Sequence, residues 1–107
     1  MTETKKAEIL NIADLATYQE NAVVSSQILR AETGNVTLFA FDKGQELSEH
    51  STPFDALVQV LDGKAEIVIS GNSYHMGAGE SIILPADKPH AVIATAQFKM
   101  LLTMIRA

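Results

Sequence analysis

The run Gly79-Glu80-Ser81-Ile82-Ile83-Leu84-Pro85-Ala86-Asp87-Lys88-Pro89-His90 joins an apolar strand-like segment to a loop that two prolines punctuate. Pro85 and Pro89 have no amide hydrogen and cannot both serve a central ladder, so 85–89 is a loop between strands and His90 stands at the entrance of the next one. A loop held by two prolines fixes its neighbours at low entropic cost. Upstream, Gly44 is followed by five residues and then His50-Ser51-Thr52. Period-two geometry over 46–52 puts Glu46, Ser48, His50 and Thr52 on one face. With that face turned inward, His50 and His90 look into the same cavity.

Outward from these two stretches the chain reads as all-β. After Asn21, β-branched and aromatic residues alternate with polar ones, and Gly, Asn and Pro recur at short intervals, the pattern of a run of strands. Strands are predicted at about 23–30, 35–42, 46–52, 57–61, 65–70, 73–76, 81–84, 91–95 and 99–105. The turns between them include Thr33-Gly34-Asn35, Asp62-Gly63 and Ser70-Gly71-Asn72, with Asp62-Gly63 carrying a strong two-residue hairpin signal. So many strands on short loops run antiparallel and imply a sandwich or barrel. Before them, Asn11 can cap a short helix over 12–20, in which Ile12, Leu15 and Ala16 share one face.

The last strand is apolar on both sides, with Phe98, Met100, Leu102 and Met104 on one and Leu101, Thr103 and Ile105 on the other. A strand facing water on one side would alternate more cleanly. Its outer side needs a cover, from the Ile12–Ala16 helix or from a second subunit, and a two-fold homodimer is the favoured solution. Gln59, of opposite parity to Ala56, is placed at a subunit interface or the other sheet.

Composition narrows the remaining classes. At 107 residues, 47% hydrophobic and 20% charged, the chain suits one globular domain, 1–107, with the barrel over about 35–105 and the N-terminal helix and first strand over about 11–30. A net charge of −5 with eight scattered Lys and Arg argues against nucleic acid and anionic membrane as partners. The absence of cysteine excludes disulfides, thiolate metal sites and a cysteine nucleophile. The polar, acid-bearing start Met1-Thr2-Glu3-Thr4-Lys5-Lys6-Ala7-Glu8 suits neither a signal nor a transit peptide, so a soluble, cytoplasmic protein is expected.

The two glycine-anchored stretches resemble the paired motifs of the small single-domain cupins, the RmlC-like jelly-roll barrels, over about Gly44 to Ala94. The second motif matches the family pattern at its Gly, Pro and His and departs from it at Asp87, where the family has Gly. The first motif keeps His50, but Thr52 stands where the family has a second His, and Ala56 where it has a Glu, seven residues before Gly63. The resemblance implies a cupin-type jelly roll whose mouth is present and whose metal cage is reduced to two imidazoles.

Two imidazoles alone make a weak metal site, since catalytic centres take about three protein ligands. Glu46 shares the face of His50 but lies about 13 Å along the strand, and Glu49 is on the other face. Asp55 remains as a third ligand if Pro53 breaks the alternation and swings it inward, giving two His and one carboxylate. His75 and Tyr74 read as solvated strand residues, and the methionines as core or pocket wall.

The first functional reading is therefore a binding or sensing module. Its ligand is a small, partly apolar organic molecule held by His50, Thr52 and His90 among Ala56, Val58, Val92, Met100 and Met104, without a catalytic metal. Loss of imidazole and carboxylate at 52 and 56 predicts a wider, more apolar mouth. The alternative is an enzyme: a metal-dependent oxygenase or isomerase holding a divalent transition metal on His50, His90 and Asp55, or a metal-free one with a histidine base. A purely structural dimer is the third reading.

Overall fold

Residues 56–69 alternate apolar and polar side chains over most of their length, and in the computed structural model they form one unbroken strand rather than two. The structure describes residues 5–106; the first four residues of the polar lead-in, and Ala107, lie outside it. The eight strands are β1 (Val23–Ala31), β2 (Gly34–Phe41), β3 (Glu46–His50), β4 (Ala56–Ile69), β5 (Asn72–Gly77), β6 (Ser81–Leu84), β7 (His90–Ile93) and β8 (Phe98–Ile105). Every pairing among them is antiparallel. The order is β1-β2-β8-β4-β7-β3, with β5 and β6 also paired to β4. The first half of β4 pairs with β6 and β8. Its second half pairs with β5 and β7. This one strand therefore curls the sheet into the jelly-roll half-barrel.

The hairpin predicted at Asp62-Gly63 does not form. Instead β4 carries a bulge between Val60 and Asp62 against β8, and Gly63 takes φ +77. A bulge of this kind uses the left-handed conformation that a tight turn also uses, which is why the same dipeptide signals both. Space imposes a second demand. A Cβ on Gly63 would collide with the Gln97 carbonyl oxygen and sit 2.8 Å from Phe98 Cα.

The concave side holds the main core. Phe41 and Phe98 stack with ring centroids 4.5 Å apart, and with Val58, Val60, Ile67 and Met100 they are essentially shut off from water. Burying such side chains, at roughly 1.5–3 kcal/mol each, is the main favourable contribution to the fold.

The convex side of β1, β2, β8 and β4 is apolar as well, as the last strand's composition required. Its cover is the chain's own N-terminal segment. Leu10, Ile12, Ala16 and Tyr18 pack on Val24, Ile28, Leu38, Ala40, Leu61 and Leu101. The helix expected over 12–20 is only a 3-10 turn, Ile12–Leu15, with no side-chain cap from Asn11 and an extended Ala16. A helix so short gains little from propagation, whereas an extended strap reaches more of the sheet. Lys99 fastens it by donating from Nζ to the Ala13 carbonyl at 2.6 Å and lying 5.1 Å over the Tyr18 ring. The Tyr18 hydroxyl donates to the Asp62 carboxylate. Burial, then that hydrogen bond and the Asp62 charge, push the phenol well above its ordinary range. Gln59 lies on this convex side, its register neighbours being Leu101 and Ser81. Among the described residues no helix is long and apolar enough to cross a membrane.

Candidate functional site

The two histidines arrive from opposite ends of the chain's motifs and meet as direct cross-strand partners. His50, the last residue of β3, pairs with His90, the first residue of β7, and His90 also faces Ile69 of β4. A register shift between Leu47 and His50 breaks the simple alternation expected over 46–52. As a result Leu47 and His50 both line the cavity, while Glu46 and Ser48 are exposed. Thr52 lies beyond the strand.

The loop before His90 is tied to the segment after His50. The Asp87 amide donates to the Thr52 carbonyl at 2.7 Å, and the Ala86 amide donates to Asp55 Oδ1 at 2.8 Å. The Ser70 amide donates to the Pro89 carbonyl at 2.8 Å. Asp87 sits at φ +64, so the left-handed backbone of a glycine position is kept by one of the few other residues that tolerate it. Asp55 does not swing inward: its carboxylate is exposed and engaged by the loop. Among the described residues no group of three or more His, Asp or Glu side chains is arranged to hold a metal.

The imidazoles meet edge to face, with centroids 4.4 Å apart at 71° and Nε2 atoms 3.2 Å apart. His50 Nδ1 faces the Ser48 carbonyl at 2.9 Å. His90 Nδ1 faces the Lys88 carbonyl at 3.3 Å. A carbonyl oxygen only accepts, so each Nδ1 carries the hydrogen and each neutral ring offers a bare lone pair at Nε2. Two lone pairs therefore confront each other across 3.2 Å. A single shared cation relieves that opposition, and one proton turns it into an N–H···N hydrogen bond. His90 is buried, 5% exposed; burial, then the charge of His50, hold its pKa below the ordinary histidine value, against the pull of the Lys88 carbonyl.

Beneath the pair lies a mostly enclosed hollow of about 30 Å³. Among the residues expected around the mouth, His50, Thr52, Ala56, His90, Val92, Met100 and Met104 line it, as do Leu47, Leu84 and Leu102. Val58 lies in the core, fully buried. The hollow is small where Thr52 and Ala56 predict a wide mouth, with Leu84, Leu102 and the two methionines in its wall. What remains suffices for about one water molecule. The Thr52 hydroxyl donates to the Phe54 carbonyl at 3.1 Å, so its hydrogen is already committed. Leu102 was legible from its parity with Met100; Leu47 was hidden by the bulge. His75 and Tyr74 are exposed on β5, as expected.

The comparisons agree with this architecture. The cupin domain family model matches residues 37–106. A conserved protein of unknown function from Streptococcus pyogenes is similar in structure at a TM-score of 0.92 and 34% identity, over 97% of this chain and 91% of that one. A cupin 2 conserved barrel domain protein from Leptotrichia buccalis is 41% identical at a TM-score of 0.87, covering 90% of this chain and 47% of that longer one. An RmlC-like cupin protein from Desulfovibrio desulfuricans is 25% identical at a TM-score of 0.81, over 92% of this chain and 96% of its own. With the paired motifs, the jelly-roll strand order and the family match in agreement, the chain belongs to the cupin family.

Proposed function

We propose that the barrel mouth binds a small organic anion, a carboxylate with a short apolar remainder, through the His50–His90 pair. The observation that supports this reading is the 3.2 Å approach of the two Nε2 atoms above an apolar hollow. When one proton is held between them, which the lowered pKa of His90 reserves for acidic pH, the rings form a cation whose surroundings include Leu47, Val92 and Met100. A carboxylate is the group such a cation attracts, through a charge-assisted hydrogen bond. The small hollow limits the part of the ligand that enters, and the flexible thioethers of Met100 and Met104 are the side chains best able to yield to it. Acetate, butyrate and benzoate, tested in the presence of chelator against their alcohols, should raise the melting temperature, and His50→Ala should abolish the rise. Equal response to acid and alcohol, or an undiminished rise in His50→Ala, contradicts the reading.

The same distance favours a second reading. Two nitrogens each about 2.0–2.1 Å from a tetrahedral ion lie about 3.4 Å apart, close to the separation here. His50 and His90 would hold a divalent ion by Nε2, with the other positions left to water or a chelating substrate. Such an ion supplies Lewis acidity and a lowered water pKa, as an oxygenase or isomerase requires. Near-stoichiometric metal in the purified protein, with a melting temperature that falls on chelation, distinguishes this reading from the first.

A further inference from the structure

Both arginines of the chain, Arg30 and Arg106, stand on the sheet face that carries the hollow. Arg30 pairs across the strands with Asn35, Asn35 with Met104, and Met104 with Ala56. Directly opposed residues share a face, and Met104 and Ala56 line the hollow. Arg106 reaches that face one step further along. The Ile105 amide donates to the Asp55 carbonyl at 3.4 Å and the Arg106 amide to the Thr33 carbonyl at 2.7 Å. Successive amides thus serve opposite neighbours, as in an extended chain, and Arg106 keeps the parity of Met104.

The Arg106 guanidinium lies 5.9 Å over the ring of Phe54. Phe54 is half-buried, and its carbonyl accepts the hydroxyl hydrogen of Thr52, a residue of the hollow's wall. An exposed guanidinium is therefore held against an aromatic face at the lip of an apolar hollow, about 7 Å along the strand from Met104 at the ordinary rise per residue. Asp55, the acid beside Phe54, spends Oδ1 on the Ala86 amide. Resting on a ring orders the long arginine side chain and leaves its planar fork of N–H donors to an incoming carboxylate.

We propose that Arg106 determines the specificity of the mouth by binding a second carboxylate on the ligand whose first is held by His50 and His90, so that short dicarboxylic acids are preferred to monoacids. The proposal rests on the reading of the mouth as a carboxylate site and supplies its far end. Arg30 and Asn35, on the same face, add positive charge and a polar amide to the rim. On a chain of net charge −5, which as a whole repels a dianion, such a local concentration of arginine is what admits one.

Titration of the full chain with butyrate, glutarate and adipate, at pH 6 and with chelator present, tests this. One of the two diacids should bind about three- to tenfold tighter than butyrate, the worth of a partly exposed hydrogen bond between charged groups. Arg106→Gln should bring the diacids down to the affinity of butyrate, and Arg106→Lys should keep part of the difference. Lys43→Gln, an equal loss of charge in the turn between β2 and β3, should keep all of it. Diacids no tighter than butyrate, or a preference that survives Arg106→Gln, overturns the proposal and leaves the histidine reading standing. A preference that Arg106→Gln removes, in binding that His50→Ala does not weaken, overturns the histidine reading alone. No binding of any of the three acids overturns both.

Discussion

Asp55 Oδ1 accepts the Ala86 amide hydrogen at 2.8 Å, so the acid expected as a third metal ligand is a tie between the loop that follows His50 and the loop that precedes His90. Removing that tie by Asp55→Ala should cost about 1 kcal/mol, the usual net worth of a hydrogen bond discounted for its exposure. Asp55→Asn retains an accepting oxygen and should cost less. Urea midpoints of the two variants check this; equal losses would mean that the charge matters rather than the acceptor.

Stability should depend on pH through His90. Its folded-state pKa is held below the ordinary value of 6.5, so between the two values the unfolded chain binds more protons than the native one. Stability is then greatest above pH 6.5 and declines as pH falls through the folded-state value. Melting temperatures from pH 7.5 to 5 should show this decline, and His90→Gln should flatten it. A steeper decline in the variant would place the titration elsewhere.

Two glycines with positive φ should respond differently to substitution. Gly63→Ala meets both a left-handed backbone and the Gln97–Phe98 main chain, and should cost about 3 kcal/mol or prevent folding. Gly44→Ala, at φ +88 with open space around it, should cost only about 1 kcal/mol. Denaturant titration of both decides whether space or conformation dominates at Gly63.

Restoring the family's ligands should restore a metal site. Thr52 and Ala56 line the same hollow as the two histidines, so Thr52→His with Ala56→Glu should raise the bound divalent metal towards one ion per chain by elemental analysis. Unchanged metal content would show that these positions do not converge on the imidazoles. Because the hollow is small, the added bulk should also displace Met104 or Leu84 and lower stability by about 1–3 kcal/mol.

The second motif was readable because its constraints are local. Pro85 and Pro89 forbid a ladder, and a histidine that follows them can only open the next strand. The Asp62-Gly63 error arose from local chemistry too, since a left-handed glycine closes a hairpin or relieves a bulge equally well. Only the non-local pairing of β4 with β8 chooses between them. In the same way, the shift between Leu47 and His50 brings a leucine to the hollow that strict alternation assigns to the other face. The convex cover was half readable: the surplus apolar side of 98–105 demanded a partner, and Leu10, Ile12, Ala16 and Tyr18 supply part of it without forming the helix their spacing suggested. Thr52 and Ala56 are smaller than the His and Glu of the family motif, but residue size at two positions does not disclose which other side chains, such as Leu84, Leu102 and Met104, close in on the same hollow.

The place of β8 has a consequence for biosynthesis. Phe98–Ile105 lies between β2 and β4 and bridges them along nearly its whole length, so until those residues emerge from the ribosome the β1–β2 hairpin has no neighbour on its inner side. Such long-range closure is slow, and the nascent chain meanwhile offers unpaired edges at β2 and β4. This barrel therefore closes only once β8 has been made, and its exposure to aggregation is set by how promptly those eight residues of the sheet are added.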